Sequence, residues 1–516
     1  MRAFFAPLLL GFWLFFLPIF AHGQVNSGEE IPTVTRTHAL VNARVVQAPT
    51  RMLERATVVI RDGLITAVGS DVAIPFDAEE IAADSLTVYA GFIDGLSHAG
   101  IPEPPKAANE ERPENPGFPP DAMAGIQPGR DVRTLLDPTQ QNLKDLRAAG
   151  FTAAHVVPRG GMLPGSGAII LLAGEHANDL VVKGNTALFA QITPARRMYP
   201  ATDMGVIATM RQLYREAARR KRIDELYNKD PAGLERPTYD PVHYALFPVL
   251  GGATPVYFHT EDALDLHRIL FLRSELEFPV VLTGLGQSFE VVDKLRQAGH
   301  PLLLGTKFPK APKKKGQEPA DSTKAQPTDA AAELPEVAIP AYRKDLRTMS
   351  YTDVDAEKKN LEARRDLERK KYLTNAATLH EAGLSFGFTT LDTKPADIIG
   401  NIRTMIEHGL PEHAALAALT TAPAEILGVS SSMGTVDVGK MANLVVTKGS
   451  IFENDVTIRY VFIDGAKFVL EPDQEKQDST ETEESGDSRA SRVAMPQEDA
   501  ERARDLTVVR ASRTNR

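Results

Sequence analysis

The chain has 516 residues, of which 43% are hydrophobic and 24% are charged, the balance of a soluble globular protein. Its formal net charge of -10 at pH 7 argues against a nucleic-acid partner, which favours a basic surface. The absence of cysteine excludes disulfides, thiol catalysis and zinc-thiolate sites. The length exceeds that of one small domain and suits a large barrel with an appended part.

The first residues have the pattern of an export signal. Arg2 is followed by an apolar run from Ala3 to Phe20, and small residues stand at Ala21 and Gly23. We therefore predict a signal peptide over residues 1–23 and an exported protein, periplasmic or extracellular. The alternative is an uncleaved anchor, since about 18 apolar residues nearly span a bilayer. No later segment is apolar enough to predict a further membrane contact.

Two β-rich segments stand far apart along the chain. Residues 35–90 include "ALVNARVV" and two apolar arms joined by Asp62-Gly63, a favourable hairpin turn. Residues 430–470 include "ANLVVTKG" and "IRYVFIDGAKFVL". We predict that the two segments pair into one small β-sandwich built from both ends of the chain.

The middle of the chain, residues 91–429, alternates strand-like and helix-like stretches. "TPVYFHT" precedes "EDALDLHRILFLRSEL", and "FPVVLTG" precedes "QSFEVVDKLRQAG". Short strands that alternate with helices indicate βα units and a parallel sheet. The number of units and the length favour a (β/α)8 TIM barrel, an α/β fold, over an open sheet.

Two further regions do not fit this scaffold. Residues 307–337 are rich in Pro, Lys, Ala, Asp and Glu and predict a flexible insertion in the barrel. Residues 471–516 open with the acidic "EPDQEKQDSTETEESGDS" and predict a largely disordered tail.

These segments together resemble the amidohydrolase superfamily, and within it the exported imidazolonepropionase-like group. The resemblance extends over nearly all of Thr37 to Phe468. Its N-terminal part is "VNARVV", "ATVVIRDGLITAVGSDVAIP" and "VYAGFIDGLSH", and its most specific part is "GLPEHAALAALTTAPAEILGVSSSMGTVDVGKMANLVV".

The resemblance implies a metal-dependent hydrolase that acts on amide, cyclic amide or peptide-like C–N bonds. It also implies a distorted (β/α)8 barrel whose site lies at the C-terminal ends of the strands. There a divalent metal, held by imidazoles and carboxylates, would activate water. An aspartate on the last strand would shuttle the proton to the leaving nitrogen.

The family's ligand pattern is incomplete in this sequence. After the first barrel strand the pattern is Asp-x-His-x-His, and Asp94 and His98 match it, but Leu96 replaces the first histidine. In "PVYFHTED", His259 falls where a middle strand carries a ligand. The next strand should also end in histidine, and it offers Thr283 and Gly284 instead.

The catalytic aspartate raises a question of register. Asp392 follows "LSFGFTTL" one residue later than the family pattern places it, at Leu391. Since strand side chains alternate faces, such a slip would turn the carboxylate away from the site, unless a bulge restores its direction.

Three other features bear on the site. Lys183, in "DLVVKG", raises the question of a carbamylated lysine that bridges two metals, and the incomplete first-strand motif argues against it. His155, in "TAAHVVP", is expected in the barrel interior with a hydrogen bond. The glycine-rich loop Pro158 to Ala168 is expected to line the pocket mouth.

These residues predict zinc or another divalent metal at one site at most, with His98 and His259 as ligands and Asp392 as the catalytic residue or a third ligand. A count restricted to the two histidines predicts no metal. Three hypotheses stay open: a C–N hydrolase with a reduced site, acting on a small-molecule or peptide-like substrate; a catalytically inactive partner subunit of an intact amidohydrolase; and a small-molecule binder. A homo-oligomer or a hetero-oligomer is compatible with each.

Overall fold

The computed structural model describes residues 37–104, 113–309, 341–454 and 456–470, with the backbone alone at 341–358. The predicted signal peptide, nearly all of the predicted insertion and the predicted tail lie outside the described residues and stay predictions. In the described part of the chain, no helix has both the length and the apolar character needed to cross a membrane.

Eighteen strands are described, numbered here in chain order. They are β1 Thr37–Ala48, β2 Arg51–Arg61, β3 Leu64–Gly69, β4 Glu79–Ala82, β5 Leu86–Ala90, β6 Phe92–Ser97, β7 Phe151–Val156, β8 Gly165–Ser166, β9 Ala168–Leu171, β10 Val181–Lys183, β11 Leu188–Gln191, β12 Val256–Thr260, β13 Val280–Gly284, β14 Leu302–Gly305, β15 Phe386–Thr389, β16 Leu444–Lys448, β17 Thr457–Ile463 and β18 Ala466–Val469.

The described α-helices follow the same numbering. They are α1 Gln141–Ala148, α2 Ala177–Leu180, α3 Asp203–Lys229, α4 Pro241–Leu250, α5 Ala263–Leu276, α6 Val292–Ala298, α7 Ala341–Glu381, α8 Pro395–Glu407, α9 Glu412–Leu419 and α10 Thr421–Ile426. Helix starts follow local chemistry. Asp240 accepts a hydrogen bond from the Val242 amide (2.9 Å) at the start of α4, and Thr202 accepts one from the Gly205 amide (3.1 Å) at the start of α3.

Strands from both ends of the chain form one eight-stranded sheet. Its order is β18-β17-β16-β5-β1-β2-β3, and β4 pairs with β1. The two segments meet where β5 pairs antiparallel with β16, with Ala90 opposite Leu444. At the hairpin between β2 and β3, Asp62 and Gly63 have φ values of 49° and 81°, as a type I′ turn requires. A division of this sheet into the two layers of a sandwich stays a prediction.

The middle of the chain forms two further sheets. One has the order β10-β9-β7-β6 and the other the order β15-β14-β13-β12-β11-β8. Strands β11 to β15 run parallel, as do β6 and β7. The fold is thus mixed α/β and TIM-barrel-like, with parallel strands whose carboxyl ends lie at a common edge.

One strand position departs from the regular βα pattern. β8 and β9 flank Gly167 and run antiparallel to their neighbours β11 and β7. Gly167 exchanges backbone hydrogen bonds with Ala187 (2.9 Å) and Thr186 (3.0 Å), so one bent segment passes from the first sheet to the second. The sequence predicted a glycine-rich loop over Pro158 to Ala168 and did not predict these antiparallel pairs.

A buried aspartate connects β6, an edge strand of the four-stranded sheet, with β15, an edge strand of the six-stranded sheet. Asp94 is fully buried and accepts hydrogen bonds from the Thr390 amide (3.0 Å), the Thr390 hydroxyl and the Leu96 amide (3.2 Å). The Thr389 hydroxyl donates to the Leu96 carbonyl (2.6 Å). Within the described strands no backbone ladder joins β6 to β15, so the closed barrel stays a prediction and side chains form this junction.

We predict a pH dependence of stability that originates at Asp94. Burial raises the pKa of Asp94 from 3.8 to about 7, in spite of the donors around it. Between these values the folded protein holds a proton that the unfolded chain releases, so this residue's contribution to the unfolding free energy is lost as the pH rises from about 4 to about 7. Above that range the contribution is constant.

Urea unfolding of the wild type and Asp94→Asn across this pH range tests the prediction. The wild type should lose more stability with rising pH than the variant, because Asn does not titrate. Parallel pH profiles for the two proteins would contradict it.

Candidate functional site

Three polar side chains meet at the carboxyl ends of the parallel strands. His259 lies near the end of β12, Glu261 follows that strand, and Asp392 follows β15. In the sheet register, His259 lies opposite Gln191 of β11 and Thr283 of β13. Because parallel strands end at a common edge, residues distant in sequence are brought together there.

The three side chains form a compact group. His259 Nε2 lies 3.0 Å from Asp392 Oδ2 and 4.0 Å from Glu261 Oε1. One ligand atom from each residue lies within 4.8 Å of the other two. The His259 side chain is 13% exposed, whereas those of Glu261 and Asp392 are 42% and 38% exposed. The group is therefore anchored on the buried histidine and opens to solvent on its acidic side.

The alternation of β12 directs the histidine into this group. Phe258 packs among apolar side chains of α3, α4 and α5. Its neighbours Tyr257 and His259 point to the opposite face, since successive strand side chains alternate. There Tyr257 contacts His155 (ring centroids 4.5 Å apart) and His259 contacts Phe189 (6.5 Å).

Gly284 provides the space that the His259 ring occupies. It ends β13 with a φ of 89°, and a Cβ atom there would lie 2.5 Å from the Thr260 carbonyl oxygen and 2.8 Å from His259 Cε1. The adjacent Thr283 is fully buried, and its hydroxyl lies 3.4 Å from His259 Nδ1. The position where the family pattern calls for a second histidine thus supports the first one.

Glu261 lies in a cradle of glycines. A Cβ atom on Gly286 would lie 2.6 Å from Glu261 Oε2, and one on Gly305 would lie 3.7 Å from Oε1. The Gln287 amide donates a hydrogen bond to the Glu261 carbonyl (2.9 Å). The sequence analysis did not single out Glu261. The available signal was an acidic residue two positions after a strand-end histidine, in "FHTED".

Asp392 reaches the site from a turn. β15 ends at Thr389, and the Thr393 amide donates to the Thr390 carbonyl (2.9 Å). The question of a one-residue slip does not arise, because strand alternation does not govern a residue beyond the strand. A bulge, the alternative considered from the sequence, is not needed to bring the Asp392 carboxylate to His259.

The two carboxyl groups have different proton affinities. The hydrogen bond from His259 lowers the pKa of Asp392. Burial raises the pKa of Glu261, and the nearby charge of Asp392 adds to that effect. Titratable neighbours whose pKa values are pushed apart are suited to separate proton-accepting and proton-donating roles.

His98 lies near this group without being part of it. Its Nδ1 donates to the Val157 carbonyl (2.8 Å), which leaves Nε2 unprotonated in the neutral ring. Burial lowers the pKa of His98 to about 4, so the ring is neutral at neutral pH. Its ring contacts Phe189 (centroids 6.4 Å apart), which also contacts His259. Its role as a metal ligand stays a prediction.

The other residues that were considered for the site from the sequence make contacts outside the three-residue group. Leu96 is fully buried in the core. Lys183 is exposed on the short strand β10, which pairs with β9. His155 is buried, and its Nε2 lies 2.8 Å from the Thr186 hydroxyl. The glycine-rich loop is held by Gln191, whose side-chain amide donates to the Gly160 carbonyl (2.7 Å).

The three-residue group fits a divalent metal. Imidazole nitrogens and carboxylate oxygens are both zinc ligands, and a catalytic zinc site with three protein ligands keeps a further position open. The glycines behind His259 and Glu261 hold these side chains in place, and the exposure of the carboxylates leaves a path from solvent. Among the described residues, the histidine and acidic side chains of this group are close enough to one another to share one ion.

We predict that Gly284 cannot be replaced without loss of stability. Gly284→Ala should lower the unfolding free energy by at least about 1 kcal/mol more than Gly299→Ala. Both glycines have positive φ, which costs about 1 to 2 kcal/mol for alanine, but nothing lies within 4 Å of a Cβ at Gly299. Equal urea midpoints for the two variants would show that His259 does not depend on this glycine.

Comparison with known proteins finds similarity in one sequence segment and in the fold. Residues 340–467 match the model of the amidohydrolase family. The fold is similar to that of an amidohydrolase from Thermotoga maritima MSB8, at 20% sequence identity, with a TM-score of 0.63, and the match covers 84% of this chain and 100% of that chain.

Two further solved structures match over similar lengths. A prolidase complexed with N-methylphosphonate-L-proline has 16% identity and a TM-score of 0.46, with 84% of this chain and 100% of that chain covered. A Xaa-Pro dipeptidase with bound methionine has 15% identity and a TM-score of 0.45, with the same coverage. No curated protein matches the sequence. Residues 340–467 thus match the amidohydrolase family, and the fold is similar to that of an amidohydrolase of known structure.

Proposed function

We propose that the protein is a metal-dependent hydrolase that cleaves a C–N bond in an amide or peptide-like small molecule. The observation that carries this proposal is the convergence of His259, Glu261 and Asp392 at the carboxyl ends of the parallel strands. These three side chains would hold one zinc ion or a similar divalent cation. When bound, such an ion supplies Lewis acidity to the reaction centre.

The chain's own residues divide the remaining tasks. Asp392, a carboxylate on the solvent-exposed side of the group, would take a proton and pass it to the leaving nitrogen. Thr283 and Gly284 orient the His259 ring. His98, which is neutral and has a free Nε2, offers a hydrogen-bond acceptor beside the group.

We further propose that the protein is exported and belongs to the imidazolonepropionase-like group. The supporting features are Arg2, the apolar run from Ala3 to Phe20 and the sequence blocks at either end of Thr37 to Phe468. Closure of the barrel is part of this proposal and is supported by the hydrogen bonds of Asp94 between β6 and β15.

A second function, that of a binding subunit without catalysis, is supported by two of the substituted positions. Leu96 is fully buried, and Gly284 has no room for a larger side chain. If the protein is such a binding subunit, it would contain no tightly held metal and would copurify with an intact amidohydrolase.

We predict that the wild type, dialysed against zinc, retains about one ion per chain. His259→Ala and Glu261→Gln should each weaken zinc binding by about 100-fold or more, because loss of one of three ligands leaves too few for tight binding. Asp262→Asn, at the exposed acidic neighbour of Glu261, is the matched control and should change the affinity by less than about threefold. A folded wild type that retains no zinc would favour the binding-subunit function.

We also predict the effect of Asp392 on catalysis. A panel of dipeptides, N-acyl amino acids and lactams would identify a substrate of the zinc-loaded wild type. At saturating zinc, Asp392→Asn should lower kcat by at least about 100-fold, the usual contribution of a proton-transfer group. Unchanged kcat in this variant would remove Asp392 from the mechanism, and zinc-loaded protein inactive on the whole panel would count against the C–N hydrolase.

A further inference from the structure

The C-terminal end of helix α7 packs in the protein core, close to the candidate site. Leu373, Ala376 and Leu379 are buried near its C-terminal end. Among them lies a polar side chain, Asn375, which is 4% exposed. A buried amide must have hydrogen-bond partners, so the partners of Asn375 indicate what it does.

All the side-chain partners of Asn375 belong to the loop after β13. Its Nδ2 donates to the carbonyl oxygens of Leu285 (3.0 Å) and Gly286 (3.3 Å). Its Oδ1 accepts from the Ser288 hydroxyl (2.8 Å). One buried amide therefore fixes three of four consecutive residues of this loop, Leu285 to Ser288.

The loop needs such support. Leu285 has a φ of 60°, a left-handed conformation that a leucine adopts only when its surroundings impose it. Its amide donates to the Thr260 carbonyl (2.6 Å), and the bond from Asn375 holds its carbonyl group. The strained residue is thus held from both sides.

The same loop forms one wall of the Glu261 cradle. The Gly286 backbone lies against Glu261 Oε2, and the Gln287 amide bonds the Glu261 carbonyl. Gln287 is itself tied to α7, since its side-chain amide donates to the Tyr372 hydroxyl (2.7 Å). A continuous chain of contacts therefore runs from Asn375 through the loop to the Glu261 carboxylate.

We propose that Asn375 is a positioning residue that sets the place of Glu261 in the metal-binding group. This inference rests on the proposed function, because it concerns the affinity for the metal that Glu261 would hold. It makes α7, which is distant from Glu261 in sequence, a part of the site. Groups that orient metal ligands commonly change metal affinity by about 10- to 100-fold when they are removed.

A double-mutant cycle with Glu261 tests the proposal, with zinc as the probe and competition against a chromophoric chelator as the readout. Asn375→Asp keeps the size and the acceptor for Ser288 but cannot donate to the two carbonyl groups. It should weaken zinc binding by about 10- to 100-fold. In the Glu261→Gln background the same change should have less than about a twofold further effect, because the residue through which it acts is gone.

Two controls separate positioning from general destabilisation. Thr378→Val, on the same helix, removes a hydroxyl that bonds the carbonyl of Thr374 within α7 (3.0 Å) and should leave zinc affinity unchanged. Asn375→Ala, which has no carboxylate to repel the carbonyl groups, should reproduce the loss seen with Asn375→Asp. Urea unfolding of each variant would verify that zinc is titrated into folded protein.

The possible results are distinct. Equal losses from Asn375→Asp in the wild-type and Glu261→Gln backgrounds would overturn the positioning role and leave the metal site intact. An equal loss from Thr378→Val would also overturn it, since the effect would then belong to the helix. A wild type that binds no zinc would overturn this inference together with the proposed metal-dependent function.

Discussion

The candidate site depends on the close approach of the His259 ring to the backbone of Gly284. The ring occupies the space that any side chain at Gly284 would need, and from there its Nε2 meets Asp392 at 3.0 Å. The parallel pairing of β12 with β13 makes this approach possible, because it places Thr260 and Gly284 side by side. The positive φ of Gly284 then clears the space beside the ring.

The close approach of the His259 ring to Gly284 bears on the ligand pattern that is incomplete in the sequence. Thr283 and Gly284 stand where the family pattern calls for a histidine, and the positive φ of Gly284 and its closeness to the His259 ring disfavour a side chain there. On the other side of His259, Glu261 brings a carboxylate within 4.0 Å, and Gly286 and Gly305 leave room for it. Within the described residues, the group around His259 therefore offers three potential ligands, two of which are carboxylates.

Much of the architecture follows from local sequence patterns. Short apolar runs between helix-like stretches predicted the parallel strands, and the resemblance to the family's ligand pattern pointed to His259. The antiparallel pairing at β8 was not predicted, because the two-residue strand Gly165–Ser166 is too short to show a hydrophobic period. The position of Asp392 could not be predicted either, because it depends on where β15 ends, and strand boundaries are poorly defined by sequence.

The contributions of Glu261 and Asn375 lay beyond sequence reasoning for a different reason. Glu261 follows a predicted ligand closely, but the space that it occupies is left by Gly286, in the loop after β13, and by Gly305, at the end of β14. Asn375 lies in a helix about 90 residues after the loop that it holds. A polar residue in an amphipathic pattern does not reveal which distant backbone groups it will meet.

The most direct test of the candidate site formed by His259, Glu261 and Asp392 is the position of a metal ion in crystals grown with zinc. Anomalous diffraction at the zinc edge should give one strong peak at about 2.0 to 2.2 Å from His259 Nε2 and from a carboxylate oxygen of both Glu261 and Asp392. A peak at His98 that excludes Glu261, or no peak in well-diffracting crystals of the folded protein, would contradict this account.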